Sequence, residues 1–243
     1  MRKILAVIPI RSGSQGVKNK NIRPLNGRPL VSYVIEILKK SKGVEKCIVS
    51  TDSIDYANIA RGLGIDVPFI RPLELGKGDV RLHHVMKHAL NCFDSIGENF
   101  DAVLSLQATA PLIQVKTLDK VIDRFHEKNC QAVGTVSKIR HEHPYLAKKI
   151  LEDGSLSAFL KLPTDTHRYP RQVRPDLCYF NGSIFLRDRS LLDEMNETLN
   201  CLGDNPQAIF MNDIESINID DNFDFDIAEC VLKKKEKENE KIK

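Results

Sequence analysis

The sequence has no apolar run of about 18 residues, so it contains no segment that could cross a membrane as a helix. It has six cysteines but no C-x-x-C pair, and this spacing argues against a structural zinc site. Cysteines scattered in this way are typical of a reduced protein, and we expect a cytoplasmic setting. An apolar strand begins almost at once, so we expect no secretory signal peptide.

Two common phosphate-binding patterns are also missing. The chain has no G-x-x-x-x-G-K-[ST] spacing, which excludes a P-loop of that type. It also has no G-x-G-x-x-G, because the glycines of its first loop, Gly13 and Gly16, are three apart and have no third partner. A nucleotide site in this chain would therefore need another design.

The formal charge of +3 does not describe the body of the protein. Residues 233–243 hold six Lys and three Glu, and the rest of the chain carries 30 charges of each sign. Such a run is typical of a solvated, fraying helix end. Nucleic-acid binding requires a basic face on the folded body, and we therefore expect no nucleic-acid partner.

An apolar first strand leads directly into a loop of Gly, Ser and basic residues at 11–21. A buried parallel strand reads as such a continuous apolar run. Glycines let backbone N–H groups approach an anion, and Arg11, Lys18 and Lys20 supply the opposing charge. The pattern is equally compatible with an ordinary strand–loop–helix connection that carries a few surface cations.

Alternating strand and helix patterns predict one α/β domain spanning 1–243, with a mostly parallel sheet. Apolar stripes at helical spacing occur at 31–38, 82–93 and 118–125. The strand candidates are 3–10, 46–51, 66–70, 102–106, 132–137, 183–187 and 215–219. The alternation stops at 139–180, a Pro-, His- and Arg-rich stretch that we interpret as a lid or dimerisation excursion.

Polar residues follow the predicted strands, and ligands bind at the carboxyl ends of strands in such sheets. We interpret Asp52 as a helix N-cap, and the amide of Gln107 as a group that could contact a ligand. Asp220 could bind Mg²⁺, or the acidic residues around it could cap the last helix. His84 and His88 are i, i+4 neighbours, and we favour a helix face over a metal site.

Together these segments resemble the acylneuraminate cytidylyltransferase family. That family opens with I-x-A-R-x-G-S-K-G and a following K-N, and here residues 8–16 (IPIRSGSQG) lead to Lys20-Asn21. Further matches in family order are 50–52 (STD), 71–75 (RPLEL), 107–111 (QATAP), 181–185 (NGSIF) and 219–224 (IDDNFD).

The resemblance implies a fold and a reaction. The fold would be a three-layer sheet flanked by helices, of the Rossmann-related nucleotide-diphospho-sugar transferase type, with a protruding dimerisation arm. A nonulosonic (sialic-type) 2-keto sugar acid would attack the α-phosphorus of CTP, giving CMP-sugar and pyrophosphate with the help of Mg²⁺. Chemistry of this kind depends on positioning and charge neutralisation.

The resemblance also implies residue roles. Arg11, Lys20 and Asp220 would be catalytic. Asp220 and Asn218 would hold the metal. The remaining implied sets are Arg11, Ser12, Gly13, Lys20, Asn21 and Arg71 for the nucleotide, and Gln107, Arg171, Tyr179 and Asn181 for the sugar. Family members are homodimers, so we expect a homodimer here.

The chain departs from the family pattern at several positions. Ile113 replaces an arginine, Asn218 replaces the first aspartate of D-I-D, and Tyr179 stands where many sialate enzymes have an arginine. His83 or His84 replaces a Ser or Thr near the base, and Arg174 could substitute for the missing arginine. These departures favour considering another nonulosonic acid as the substrate, such as a legionaminate-like or keto-deoxy-nonulosonate sugar. Two other readings stay open: a nucleotidyltransferase for sugar 1-phosphates, and a non-catalytic nucleotide-binding protein.

Overall fold

The computed structural model describes residues 2–14, 16–127, 130–140, 142–160, 174–193 and 201–240. The strands are β1 Ile4–Ile10, β2 Pro24–Leu25, β3 Arg28–Pro29, β4 Lys46–Thr51, β5 Ala102–Leu106, β6 Ala132–Lys138, β7 Lys148–Ile150, β8 Leu156–Ala158, β9 Cys178–Asp188 and β10 Gln207–Phe210. The α-helices are α1 Leu30–Lys40, α2 Ile54–Gly62, α3 Leu82–Asp94, α4 Val115–Glu127, α5 Ser190–Asp193 and α6 Asn222–Glu240.

Six strands form a central sheet in the order β10-β6-β9-β5-β1-β4. The pairs β1–β4, β1–β5 and β10–β6 are parallel, whereas β9 is antiparallel to both of its neighbours. The prediction of a mostly parallel α/β sheet is therefore confirmed. The antiparallel β9 brings its amino-terminal half to the edge where the parallel strands end.

Helices cover both faces of this sheet and create two apolar cores. Ile4, Ala6 and Ile8 of β1 lie in a cluster with side chains of α1, α2 and α4. Leu5 and Val7, which alternate with them, lie in a second cluster with side chains of α3. Because both faces of β1 are covered, the strand is apolar throughout. The three predicted apolar stripes correspond to α1, α3 and α4.

Two strand predictions were wrong. Residues 66–70 are extended but form only isolated bridges, Ile48 to Asp66 and Thr51 to Ile70. Residues 215–219 form no strand, because the Asn212 side chain accepts from the N–H groups of Ile214 and Glu215 and folds a turn there. The last parallel strand is β10, a four-residue element that the sequence pattern did not indicate.

Ile217 and Ile219 alternate with polar residues as in a strand, but they pack in an apolar cluster instead. They pack with Leu25, Leu30 and Phe225 in a small apolar cluster beside α6. The Ile219 N–H donates to the carbonyl of Thr109 at 2.8 Å, which fixes the segment against the end of β5. The apolar alternation here reflects packing of an irregular segment that leads into α6.

The predicted excursion at 139–180 includes the β7–β8 hairpin and the start of β9. Residues 161–173 lie outside the described part of the chain, so its role as an arm stays a prediction. The basic run at 233–243 continues α6 as far as Glu240, and 241–243 also lie outside it. Among the described residues, no helix is both long and apolar enough to span a membrane.

Candidate active site

Three neighbouring strands end at the same edge of the sheet and deliver polar residues there. β5, β1 and β4 are adjacent and parallel, and they are followed by Gln107, Arg11 and Asp52 respectively. The antiparallel β9 reaches the same edge, because the Gln107 N–H donates to the carbonyl of Ser183 at 3.0 Å. This edge is where ligands bind in open α/β sheets.

A cavity of about 470 Å³ lies at this edge. Seven of the residues singled out from the sequence line it, namely Arg11, Lys20, Asn21, Arg71, Gln107, Asn218 and Asp220. The first and the last of these residues, Arg11 and Asp220, are more than 200 positions apart in sequence. The fold thus brings one set of basic residues and one set of amide and carboxylate oxygens to a common space.

The loop after β1 is closed on itself and packed against the segment before α6. The Asn21 amide, which is only 6% exposed, donates to the Arg11 carbonyl at 3.2 Å. A Cβ on Gly16 would lie 2.5 Å from the carbonyl oxygen of Asp220. Only glycine allows this approach, so Gly16 is explained by packing against Asp220. A Cβ on Gly13 would meet no atom of the described residues within 4 Å.

Lys20 joins these two segments. Its Nζ donates to the Ile219 carbonyl at 2.7 Å and lies 3.3 Å from Asp220 Oδ1. The lysine side chain is 14% exposed, whereas the Asp220 side chain is 81% exposed. The ammonium group is therefore held in place by protein oxygens, while the carboxylate of Asp220 remains accessible.

Helix capping and the candidate metal ligand are separate residues. Asp221 accepts from the Asp224 N–H at 3.0 Å, and Asp224 accepts from the N–H groups of Asp220 and Asp221 at 2.8 and 3.1 Å. This reciprocal arrangement caps the start of α6. The two sequence interpretations of the acidic cluster therefore apply to different side chains, and the Asp220 carboxylate is not used for capping.

The oxygens near Asp220 suit a hard divalent cation. Asn218 donates weakly from Nδ2 to the Asn181 carbonyl at 3.5 Å, while its buried Oδ1 has no hydrogen-bond partner within the described chain. A buried acceptor without a partner is uncommon and points toward a ligand. No group of three or more His, Cys, Asp or Glu suited to a metal occurs among the described residues. Mg²⁺ does not require one, because substrate phosphates and water complete its coordination.

Arg71 is a buried cation that lines the same cavity. It is 3% exposed, and its Nε is buried without a hydrogen-bond partner among the described residues. Burial lowers the pKa of Arg71 from its ordinary value; Asp52 opposes this shift and Arg11 adds to it. A desolvated guanidinium beside another cation favours an anionic ligand at this site.

Asp52 does not cap α2, and this prediction was wrong. The cap is Ser53, whose hydroxyl accepts from the Tyr56 N–H at 3.3 Å. Asp52 instead accepts from the backbone N–H of Ser12 at 2.9 Å and from its hydroxyl at 3.4 Å. Ser12 and its neighbour Gly13 are exposed at the beginning of the loop.

Asn181 stands at the same edge, but its amide is occupied by protein groups. Its Oδ1 accepts from the Thr135 hydroxyl at 2.7 Å, and its Nδ2 donates to the Ser137 hydroxyl at 3.0 Å. The following residue, Gly182, lines the cavity. Tyr179, two positions earlier on β9, is 52% exposed. Sugar contacts by Asn181 and Tyr179 stay predictions.

Other residues from the sequence analysis lie elsewhere. Arg171 is outside the described residues. Arg174 lines a second cavity of about 670 Å³ together with Lys138 and Arg140. The rings of His83 and His84 are tilted by 47° with their centroids 4.2 Å apart, and the ring of His88 lies edge-on against Phe69.

Sequence reasoning missed one wall of the cavity. It is formed by residues between the end of β4 and the middle of α3, which are Leu75, Lys77, Gly78, Val80, Leu82 and Val85. Four of these six residues are apolar and one is a lysine, so this segment supplies most of the apolar lining of the cavity. The signal that could have revealed it is the pair of glycines on either side of Lys77.

Comparison with known proteins finds cytidylyltransferases and CMP-sugar synthases. A family model described as cytidylyltransferase matches residues 5–170. N-acylneuraminate cytidylyltransferase of Escherichia coli O18:K1:H7 is 33% identical over 242 residues, covering 97% of this chain and 54% of that protein. CMP-N,N'-diacetyllegionaminic acid synthase of Legionella pneumophila is 30% identical, covering 95% of this chain and 96% of that protein.

The post-translational flagellin modification protein B of Campylobacter coli is 29% identical and covers 97% of both chains. The chain thus spans about half of the Escherichia coli relative and nearly all of the other two. A solved CMP:2-keto-3-deoxy-manno-octonic acid synthetase in complex with CTP has a TM-score of 0.71 at 14% identity, covering 96% of this chain and 99% of its own. At that identity, the likeness concerns the fold.

Proposed function

Because the chain belongs to the cytidylyltransferase family, we propose that it activates a nonulosonic sugar acid with CTP. The anomeric hydroxyl of the 2-keto sugar acid forms a bond to the α-phosphorus. The bond between that phosphorus and the oxygen bridging to the β-phosphate breaks, and pyrophosphate leaves. The hydroxyl proton is released to solvent. The products are CMP-sugar and pyrophosphate.

One observation carries this proposal. Arg11, Lys20 and Arg71 converge on one cavity with Asn218 and Asp220, at the carboxyl edge of a parallel sheet. Three cations suit a triphosphate, and the two oxygen-bearing side chains suit the metal ion that accompanies it. The relatives named N-acylneuraminate cytidylyltransferase and CMP-N,N'-diacetyllegionaminic acid synthase support a cytidine nucleotide and a sugar acid as the substrates.

Lys20 and Arg11 would stabilise the charge that develops on the leaving pyrophosphate. Lys20 is well placed because its Nζ is already oriented by the Ile219 carbonyl and needs little rearrangement. Arg71 and Asn21 would hold the nucleotide, with the apolar wall of Leu82 and Val85 excluding water.

Asp220 and Asn218 would hold Mg²⁺. When bound, the ion would neutralise phosphate charge and orient the triphosphate. The accessible carboxylate of Asp220 and the unpartnered Oδ1 of Asn218 support this assignment. One carboxylate and one neutral oxygen should bind Mg²⁺ more weakly than two carboxylates would.

The sugar acid would lie beside β9, between Gln107 and Gly182, which both line the cavity. Tyr179 replaces the arginine of many sialate enzymes and removes a bidentate anion contact. We therefore expect a nine-carbon sugar acid whose recognition differs from that of the sialates, such as a legionaminate-type acid.

We also expect a homodimer. The β7–β8 hairpin and the residues after it expose several large apolar side chains, namely Ile150, Leu151, Leu156 and Phe159. Ile150 and Leu156 are directly paired across the hairpin, and adjacent exposed apolar side chains of this kind are typical of an interface. Ile150→Asp combined with Phe159→Ser should shift the protein toward monomer in analytical ultracentrifugation; an unchanged mass would exclude the hairpin from the contact.

The six cysteines form no disulfide, which supports the expected cytoplasmic setting.

The proposal is tested by pyrophosphate release. The protein is incubated with Mg²⁺, each of the four NTPs, and a panel of 2-keto sugar acids and sugar 1-phosphates. Release only with CTP and a keto sugar acid is the expected result, and it identifies the sugar. Release with a sugar 1-phosphate would contradict the proposal. So would the absence of both turnover and CTP binding, measured by calorimetry.

A further inference from the structure

Asp52 follows β4 at the edge of the sheet where the cavity lies, but it does not line the cavity among the residues described there. The helix that begins two residues later has its own cap in Ser53. The carboxylate of Asp52 is therefore free of helix capping, and it contacts other segments of the chain.

The first contact is with the loop after β1. Asp52 Oδ1 accepts from the Ser12 N–H at 2.9 Å, and Oδ2 lies 3.4 Å from the Ser12 hydroxyl. Ser12 directly follows Arg11, so these bonds fix the backbone at one end of the loop. Helix α2 makes a second contact with this loop, since the Tyr56 hydroxyl donates to Asn19 Oδ1 at 3.2 Å. Asn19 precedes Lys20.

The second contact is with the wall at 71–78, the part of the cavity lining that carries Arg71 and Lys77. A Cβ built on Gly76 would overlap Asp52 Oδ2 and lie 3.0 Å from Asp52 Cγ. Gly76 is buried, and the next residue, Lys77, lines the cavity. The backbone of this wall can come so close to the carboxylate only because position 76 has no side chain.

The third relationship is electrostatic. Arg71 on one wall and Arg11 on the other repel each other, and Asp52 is the carboxylate whose charge opposes this effect at Arg71. One side chain thus contacts both walls and also offsets the repulsion between their cations.

We propose that Asp52 is a positioning residue that joins the loop at 11–21 to the wall at 71–78 and so preorganises the cavity for the triphosphate of CTP. This inference rests on the proposed function. Asp52 acts through Ser12, Gly76 and Arg71 and is not placed in contact with the substrate. Preorganised donors and charges lower the cost of binding a polyanion.

The experiment compares Asp52→Ala, Asp52→Asn and Gly76→Ala with the wild-type protein. Asp55→Asn is the matched control, because Asp55 is an exposed carboxylate three residues away in the first turn of α2. The measurements are the Kd for CTP by calorimetry, the KM values for CTP and for the sugar acid, and the Tm.

We expect Asp52→Ala and Gly76→Ala to raise the Kd and KM for CTP by about tenfold or more, with the KM for the sugar acid little changed. Asp52→Asn keeps an acceptor for the Ser12 N–H and should recover part of the CTP affinity. The control should match the wild type. If Asp52→Ala does not fold, the other two variants carry the comparison.

Wild-type CTP affinity in the folded Asp52→Ala or Gly76→Ala variant would overturn the inference. Equal losses for CTP and sugar acid, in step with a lower Tm, would also overturn it, because they indicate a merely structural role. Failure of the wild-type protein to bind CTP would instead refute the proposed function, so the two failures are distinguishable.

Discussion

Lys20 Nζ lies 3.3 Å from Asp220 Oδ1 and donates to the Ile219 carbonyl at 2.7 Å, so a residue of the first loop is bound to the segment that precedes the last helix. The two residues are 200 positions apart in sequence. This contact places a cation, Lys20, and an accessible carboxylate, Asp220, side by side in the cavity.

Lys20→Ala should lower kcat by about tenfold or more, which corresponds to roughly 1.4 kcal/mol of activation free energy. The reason is that Lys20 lines the cavity and its ammonium group is already held by the Ile219 carbonyl and Asp220 before substrate arrives. Pyrophosphate release measures the rate. Lys18→Ala is the matched control, because Lys18, which the sequence also offered as a cation for the anion, is exposed and is not among the residues that line the cavity. Wild-type activity of Lys20→Ala would remove Lys20 from the site.

Asp220→Ala should abolish metal-dependent turnover, because it removes the carboxylate assigned to Mg²⁺. Activity is titrated against Mg²⁺ and Mn²⁺. Asp226→Ala serves as the control, since Asp226 is an exposed aspartate of α6 beyond the capping residues. A Mg²⁺ dependence of Asp220→Ala equal to that of the wild type would exclude Asp220 as a ligand.

Gly16→Ala should reduce CTP affinity, because its Cβ would lie 2.5 Å from the Asp220 carbonyl oxygen and the loop would have to move. Gly13→Ala is the comparison, since a Cβ there meets no atom of the described residues within 4 Å. Calorimetry with CTP distinguishes the two variants. Equal affinities for both would mean that the loop adapts without cost.

Asn181→Ala should lower the free energy of unfolding by about 1–3 kcal/mol, because it leaves the buried hydroxyls of Thr135 and Ser137 without this partner. Tyr179→Phe, at an exposed position of the same strand, should leave stability unchanged. Chemical denaturation gives both values. An Asn181→Ala variant of wild-type stability but with a raised KM for the sugar acid would assign this amide to the substrate instead.

The free energy of unfolding should fall as the pH drops from about 6.5 toward 4, with a contribution from His83. Burial, helped by nearby His84, Arg187 and Arg81, lowers the pKa of His83 from 6.5 to about 4. The unfolded chain therefore takes up this proton at higher pH than the folded chain. Denaturation at pH 7 and pH 5 should show a smaller loss for His83→Gln than for the wild type. An equal loss would exclude His83 as the cause.

The sheet and the main helices could be predicted because their signals are local. A continuous apolar run at β1 and apolar stripes at α1, α3 and α4 follow from burial of both faces of one strand and one face of each helix. The segment at 215–219 misled this reasoning. Its alternation is the same whether apolar residues enter a sheet or pack an irregular segment against α6, and the hydrogen bonds of Asn212 decide between the two.

The sequence alone determined the basic, amide and acidic residue types of the site, because the ordered motifs carry them. Only the tertiary structure decided which of these side chains cap helices and which make other contacts. It assigned capping to Ser53, Asp221 and Asp224, leaving Asp52 and Asp220 for other contacts. A carboxylate near a helix start looks the same in sequence whether it accepts from its own helix or from a distant loop. The choice depends on which N–H groups folding brings within hydrogen-bond distance.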